Sequence, residues 1–157
     1  MIFQPESVTY NMVKAESLIS GDFGESFVAY LLAKENVDVV RAGTIGFDLF
    51  AIDHEGKILE KEKMVGISVK MRVSKFHERY VPTIPVGSQQ VIEAQKIWKL
   101  EAWLAIVVGS IGREKKLACF LLPFREVARL RGRAKRQDVI AVSELYRETN
   151  EAVKRLF

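Results

Sequence analysis

The chain has 157 residues and a formal net charge of +4; 48% of its residues are hydrophobic and 28% are charged. This balance is typical of a globular protein and excludes a disordered chain, a collagen-like repeat and a disulfide scaffold, since Cys119 is the only cysteine. It predicts one domain over residues 1–157, without a secretory signal or a membrane span, and a cytoplasmic location.

The first third of the chain predicts a helix followed by two strands. Apolar spacing favours a helix over residues 13–35 that ends at Asn36, with a break or kink in its first turns at residues 21–24. Short β-branched runs then predict strands at residues 37–41 and 48–52.

The clearest strand covers residues 64–73, where apolar and polar side chains alternate. The odd positions from Val65 to Val73 would pack into a core, whereas the even positions would form a polar face that includes Ser68 and Lys70.

The second half predicts a further helix, two buried strands and a helical end. An extended segment at residues 79–87 precedes a helix that Ser88 would cap and that would run to about Leu100. The remaining predicted elements are strands at residues 103–108 and 117–122, a short basic helix near residues 124–131 and a final helix from Ser143. This order predicts an α/β sandwich, with a mixed central sheet flanked by helices.

Basic residues form two clusters, a pattern that favours polyanionic partners without establishing them. The first cluster follows the clearest strand, and the second has six basic residues and one acid. Their members are Lys70, Arg72, Lys75, His77 and Arg79 in the first, and Arg125, Arg129, Arg131, Arg133, Lys135 and Arg136 in the second. The alternative for each cluster is a solvated face.

Three residues are candidates for chemistry at one end of the sheet. Asp48 opens the second strand, Lys70 lies on the polar face of the third, and Glu25 lies on the first helix. Carboxylates of this kind can hold Mg²⁺, and an ammonium group beside them can orient water or offset charge in phosphodiester hydrolysis. Taken singly, each has a simpler interpretation, as a turn acid, an edge-strand lysine or a solvated helix acid.

The spacing of these residues resembles that of a known nuclease superfamily. The matching segments are Gly24-Glu25, Gly46-Phe47-Asp48-Leu49 and Ile67-Ser68-Val69-Lys70. They resemble the PD-(D/E)XK, or restriction-endonuclease-like, superfamily, and within it the domains related to archaeal Holliday-junction resolvases. The resemblance covers about residues 16–123, implies an αβββαβ core and leaves residues 124–157 as a basic, helical extension.

The resemblance also implies a role for each matching residue. Asp48 and Glu25 would hold Mg²⁺ or Mn²⁺ with the carbonyl of Val69, and Lys70 would be the catalytic lysine. The implied activity is metal-dependent endonuclease cleavage of duplex or branched DNA, with a homodimer cutting both strands. Six basic residues would then contact phosphates: Arg72, Lys75, Arg79, Arg129, Arg131 and Arg133.

Ser68 departs from the family pattern, which usually has Glu or Asp, and sometimes Gln, two residues before the lysine. A neutral hydroxyl is a poorer Mg²⁺ ligand than a carboxylate. Three explanations stay open: a weaker metal site that is still active, another acid such as Glu60 or Glu62 that takes the place, or a domain that binds without cutting. The second function hypothesis is therefore a catalytically degenerate nucleic-acid-binding module on the same fold. A third is an interaction domain whose basic segment contacts an acidic protein.

Overall fold

The computed structural model describes residues 21–74, 83–110 and 116–157. Its helices are α1, which covers residues 21–34 of the described chain, α2 (Ser88–Trp98) and α3 (Val142–Arg147). Its strands are β1 (Val37–Arg41), β2 (Leu49–Asp53), β3 (Met64–Ser74), β4 (Thr83–Pro85), β5 (Glu101–Ser110), β6 (Lys116–Pro123), β7 (Val139–Ala141) and β8 (Lys154–Arg155). None of the helices in these residues is long and apolar enough to cross a membrane.

A mixed sheet of six strands forms the centre of the fold, in the order β1-β2-β3-β5-β6-β8. Neighbouring strands are antiparallel except β3 and β5, which run parallel because α2 lies in the crossover between them. Strands β4 and β7 pair separately as a small antiparallel sheet. The prediction of an α/β fold with a mixed central sheet is therefore confirmed.

Hydrophobic side chains are buried on both faces of the central sheet. Val28 and Leu32 of α1 pack on one face, and Val91 and Ala94 of α2 pack on the other. Cys119 belongs to the α1 side, where burial raises the pKa of its thiol to about 12, as expected for an unreactive core cysteine. Helices on both faces also explain why β5 is buried almost from end to end.

The predicted break in the first helix is wrong, because residues 21–24 are helical. Gly24 packs closely against β3, where a Cβ at this position would lie 3.1 Å from the Cβ of Met71. The predicted end at Asn36 is confirmed: this residue has a positive φ of 61°, which the chain uses to leave the helix and enter β1. The predicted residues before Gly21 lie outside the described residues.

The second helix begins at the predicted residue by a different mechanism. Ser88 is already helical, and the residue before it, Gly87, is the N-cap, with φ 71°. The Ser88 amide and hydroxyl both donate to the Asp138 carboxylate instead of capping their own helix. The helix ends at Trp98 because Lys99 adopts the left-handed conformation, with φ 55°.

The polar face predicted for the third strand is also wrong over its first half. Gly66 and Ser68 are buried, because the ring of Phe47 lies directly over Gly66 and would be 2.4 Å from a Cβ there. The predicted basic helix consists of two 3-10 turns, Phe124–Glu126 and Arg129–Arg131. The short strands β4, β7 and β8 were not predicted.

Candidate functional site

Asp48 lies where β2 and β3 separate. The two strands pair only from Leu49↔Ile67 to Ile52↔Met64, and beyond Ile67 strand β3 continues to Ser74 beside β5 alone. The Asp48 Oδ2 atom accepts a hydrogen bond of 2.6 Å from the Val69 amide. On the side of β3 that faces β2, the carboxylate therefore takes the place of a strand as the hydrogen-bond partner of the Val69 amide. The other oxygen of Asp48, Oδ1, accepts no hydrogen bond from the described residues.

The backbone on either side holds Asp48 in place. Its amide donates to the Ile67 carbonyl at 2.9 Å, and its own carbonyl accepts from the Ala42 amide at 2.8 Å. The preceding turn is pressed against α2 at Gly46, where φ is 89° and a Cβ would lie 2.3 Å from the Gln90 carbonyl oxygen. Only glycine fits both this backbone conformation and this contact.

Glu25 on α1 faces the same end of the sheet. Burial raises the pKa of its carboxyl, the negative charge of Asp48 raises it further, and the positive charge of Arg41 lowers it in part. The Arg41 guanidinium lies 3.8 Å from the Glu25 carboxylate and also donates to the Ser26 hydroxyl. The charge of Asp48 therefore acts on the Glu25 carboxyl, and Arg41 is the ion-pair partner of Glu25 among the described residues.

Arg41 is the residue that sequence reasoning missed. It is the last residue of β1 and pairs across the sheet with Leu49, the residue after Asp48. Antiparallel pairing of two short strands around the turn at residues 42–48 places it there. Its position between a β-branched strand and a glycine turn was the available signal.

Lys70 follows Val69, whose amide binds Asp48. Its ammonium group lies on the α2 side of β3, where the Nζ atom would be 3.9 Å from a Cβ on Gly87. Lys70 and Arg72 line a surface groove together with Ile84 and Pro85 of the small sheet. Neither cation has an ion-pair partner among the described residues, so this groove can receive an anion.

Ser68 lies on β3 two residues before Lys70. Its side chain is only 1% exposed, and its hydroxyl has no hydrogen-bond partner among the described residues. An unpaired buried hydroxyl costs about 1–3 kcal/mol. The described residues contain no group of three or more His, Cys, Asp or Glu side chains arranged to hold a metal ion. The available acidic donors are thus Glu25 and Asp48.

The two acids considered as replacements lie at the other end of β2. The Glu62 carboxylate accepts a hydrogen bond of 2.9 Å from the His54 ring, and Glu60 pairs with Lys63. The antiparallel register places Met64, the first residue of β3, beside Ile52. Ile52 is four residues after Asp48, which is roughly 14 Å along an extended strand. Neither acid reaches the candidate site in this structure.

The second basic cluster is divided by its contacts. Arg125 pairs with Glu101 at 2.6 Å, and Arg129 pairs with both Glu126 and Glu148. These two arginines neutralise neighbouring carboxylates and tie the end of the chain to the sheet. The prediction that Arg129 binds phosphate stays a prediction, with a structural role now shown for this side chain.

The rest of that cluster contains one inward and three outward cations. The Arg131 guanidinium donates to the Lys135 carbonyl at 3.4 Å. Arg133, Lys135 and Arg136 are exposed, and none has an ion pair with the described carboxylates. The predicted phosphate contacts at Lys75 and Arg79 lie outside the described residues.

Comparison with known proteins yields one structural likeness. No protein-family model matches the chain, and no curated protein matches it. Among solved structures it is similar to Hjc, a Holliday junction resolvase from the archaeal hyperthermophile Archaeoglobus fulgidus. The identity is 19% and the TM-score 0.48, over 79% of this chain and 90% of that chain.

Proposed function

We propose that this protein is a metal-dependent nuclease that hydrolyses phosphodiester bonds in DNA, of the resolvase or restriction-endonuclease type. The observation that carries the proposal is the position of Asp48 where β2 and β3 separate: one carboxylate oxygen accepts from the Val69 amide, and the other accepts no hydrogen bond from the described residues. The negative charge of Asp48 also contributes to the raised pKa of Glu25, and a bound cation would balance the charge of these two carboxylates.

The donor set fits Mg²⁺ or Mn²⁺ completed by substrate. Mg²⁺ is commonly bound through one or two carboxylates, several waters and the phosphates of a substrate. Asp48 offers Oδ1, Glu25 offers its carboxylate, and Val69 could add its carbonyl oxygen. When bound, the ion would polarise the phosphate and lower the pKa of a coordinated water. A third protein acid at Ser68 is not required by this coordination.

The other residues would bind and orient the substrate. Three hydrogen bonds to the backbone fix Asp48, so its free oxygen would not have to move in order to bind a cation. The Lys70 ammonium would offset negative charge developing on the phosphate or orient the attacking water. Arg72, in the same groove, would bind an adjacent phosphate. A homodimer that cuts both strands is part of the proposal.

The alternative is a nucleic-acid-binding module that has lost its metal chemistry. Ser68 favours it, because a buried neutral side chain stands where the superfamily pattern has a metal ligand. This alternative expects DNA binding that is sensitive to salt but indifferent to Mg²⁺ and to substitution of Asp48.

Cleavage and binding of a defined set of DNA molecules separate these functions. The set contains duplex, single strand, flap and four-way junction, each with Mg²⁺, Mn²⁺ or EDTA. The variants are Asp48→Asn, Lys70→Ala and, as a charge-matched control, Glu151→Gln, an exposed residue distant in sequence from the site. Metal-dependent cutting that is lost in the first two and kept in the control supports the nuclease. Binding without cutting under either metal supports the binding module. Neither binding nor cutting contradicts both.

A further inference from the structure

Three unpaired cations project from one surface loop, which we define as the basic loop, residues 132–137. Arg133, Lys135 and Arg136 are exposed, and they have no ion pair with the described carboxylates. The neighbouring Arg125 and Arg129, in contrast, are paired with acids. The structure therefore separates cations that stabilise the fold from cations that are available to a partner.

The basic loop is held in one conformation by its own hydrogen bonds. The Ala134 amide donates to the Arg131 carbonyl at 3.1 Å, and the Gln137 amide donates to the Ala134 carbonyl at 2.9 Å. The Arg131 guanidinium donates back to the Lys135 carbonyl. A loop that is already ordered loses less conformational entropy when it binds. The cations are thus displayed on a preorganised surface.

The far end of the loop is fastened to the start of α2. The Asp138 carboxylate accepts from the Ser88 amide at 2.7 Å and from the Ser88 hydroxyl, and the Asp138 carbonyl accepts from the Val86 amide at 3.1 Å. Immediately after it, Val139 pairs with Pro85 in the small sheet. We call the contact between Asp138 and Ser88 the latch.

The latch places the basic loop beside the groove that holds Lys70. Gly87, the residue before Ser88, would bring a Cβ to within 3.9 Å of the Lys70 Nζ atom. Pro85, which pairs with Val139, lines the groove itself. Two basic clusters about sixty residues apart in sequence are therefore brought to neighbouring surfaces.

We propose that the basic loop is a second phosphate-binding surface. It holds the nucleic-acid backbone next to a phosphate that lies against Lys70, and the latch positions the loop. This inference rests on the proposed function as far as the partner is nucleic acid. Duplex DNA carries one negative charge per about 1.7 Å of axis, counting both strands, so a duplex that leaves the groove offers closely spaced phosphates along the surface.

The composition of the loop favours nucleic acid over an acidic protein. Residues 132–137 are Gly, Arg, Ala, Lys, Arg and Gln, without an aromatic or large apolar side chain. Protein interfaces are built around such apolar anchors, whereas contacts to phosphate need only cations and polar groups. Arg133 and Lys135 also line a cavity of their own beside Arg129 and Arg131, so the loop presents several cations to one ligand.

The test compares two triple variants with the same change in charge. One removes Arg133, Lys135 and Arg136 by substitution with Ala, and the other removes Lys57, Lys61 and Lys63, exposed residues at the opposite end of β2. The binding of a fluorescein-labelled DNA duplex is measured by anisotropy over a range of salt concentrations. We expect the loop variant to bind the duplex roughly tenfold or more weakly. The slope of log affinity against log salt concentration should flatten by up to about 2.7, at 0.9 for each of three phosphate contacts. The control should change by less than about twofold.

Each other outcome identifies what has failed. If the natural protein does not bind DNA at all, the proposed function is contradicted. If it binds and the loop variant binds equally well, or if both triple variants lose the same affinity, the inference about the loop is overturned. Tighter, loop-dependent binding of a poly-glutamate peptide than of DNA would overturn it in favour of an acidic protein.

The latch is tested by Ser88→Ala, with Ser88→Thr as the conservative variant that keeps a hydroxyl. As a positioning residue, Ser88 should affect affinity but not the number of phosphates contacted. We expect Ser88→Ala to lose up to about tenfold in affinity at an unchanged salt slope, because the hydroxyl bond is lost while the amide of residue 88 can still donate to Asp138. Ser88→Thr should restore most of the loss. Unchanged affinity in Ser88→Ala would overturn the positioning role.

Discussion

Two aspartates bracket β2, and the protein uses them in different ways. Asp53, the last residue of the strand, is fully buried and accepts four backbone hydrogen bonds, from the amides of residues 55, 56, 58 and 59 at 2.7–3.0 Å. Asp48, just before the strand, is half-buried and accepts one, from Val69. Both oxygens of Asp53 are occupied, whereas one oxygen of Asp48 is not.

The difference separates a structural carboxylate from a candidate ligand. The amides around Asp53 satisfy its charge and organise the turn that follows β2, so nothing remains for a ligand. Asp48 keeps a free oxygen beside Glu25, a second carboxylate whose pKa is raised. A perturbed acid next to an open donor is the combination expected at a functional site. The following changes test this difference, beginning with the largest expected effect.

Asp53→Asn should be the most destabilising of these changes. Asparagine presents one acceptor and one donor, so about two of the four backbone amides lose their partner. We expect the free energy of unfolding to fall by about 3 kcal/mol, at 1–3 kcal/mol for each buried unsatisfied group, while Asp48→Asn changes it by less than about 1 kcal/mol. Urea denaturation measures both. Equal losses in the two variants would contradict the comparison.

The contribution of Asp53 to the free energy of unfolding should also depend on pH. Although burial raises the pKa of this carboxyl, the four backbone hydrogen bonds outweigh it and hold the pKa below its ordinary value. Its contribution is therefore complete above about pH 4, the pKa of an unfolded Asp, and disappears as the pH falls through the lowered folded value. The Asp53→Asn variant should lack this part of the acid dependence.

Gly46→Ala should disturb the region of Asp48, with Gly43→Ala as the matched control. Both glycines have a positive φ, of 89° and 56°, but a Cβ on Gly46 meets the Gln90 carbonyl, whereas one on Gly43 meets nothing within 4 Å. The control should lose about 1–2 kcal/mol of stability from backbone strain alone. Gly46→Ala should lose at least about 1 kcal/mol more from the clash. Similar losses in thermal or urea unfolding would mean that the turn is not pressed against α2.

Replacing Arg41 should shift the pH dependence of metal binding. The positive charge of Arg41 lowers the pKa of Glu25, although burial and Asp48 raise it on balance. Arg41→Gln should raise that pKa further, so that protons compete with the metal up to a higher pH. Titration of Mn²⁺ binding between pH 4 and 8 by water relaxation measures the shift. A midpoint that stays in place, or moves to lower pH, would contradict the electrostatic account.

Ser68→Ala should have the smallest effect on stability. Its hydroxyl is buried and has no hydrogen-bond partner in the described part of the chain, so its removal leaves no group there unsatisfied. We expect a change within about 1 kcal/mol, with stabilisation more favoured than loss. A loss of more than about 2 kcal/mol in urea denaturation would reveal a partner for this hydroxyl.

Five strands of the central sheet, β1, β2, β3, β5 and β6, and the position of Asp48 at the start of β2 could be predicted from local sequence patterns. β1 is found at the predicted residues, and β3 follows from its alternation, since neighbouring residues point to opposite faces. The burial of Ser68 could not be predicted in this way. It depends on the packing of Phe47 and α2 on the face of β3 that carries the even-numbered residues. The strands β4 and β7 have three residues each, too few to show a period.

The division of the basic cluster was also beyond sequence reasoning. The partners of Arg125 and Arg129 include Glu101 and Glu148, which are 24 and 19 residues away. Ion pairs over such separations are set by the fold, not by the local pattern of charge. The same holds for the latch, where Asp138 and Ser88 are 50 residues apart.

Paramagnetic broadening by Mn²⁺ tests the central claim most directly. The natural protein is titrated with Mn²⁺ while the backbone amide signals are followed by NMR. The account predicts that the signals of Glu25 and Val69 broaden first, that those around Asp53 do not, and that Asp48→Asn abolishes the effect. Broadening centred on Asp53, or unchanged broadening at Val69 in Asp48→Asn, would contradict the assignment of Asp48 and Glu25 as the cation site.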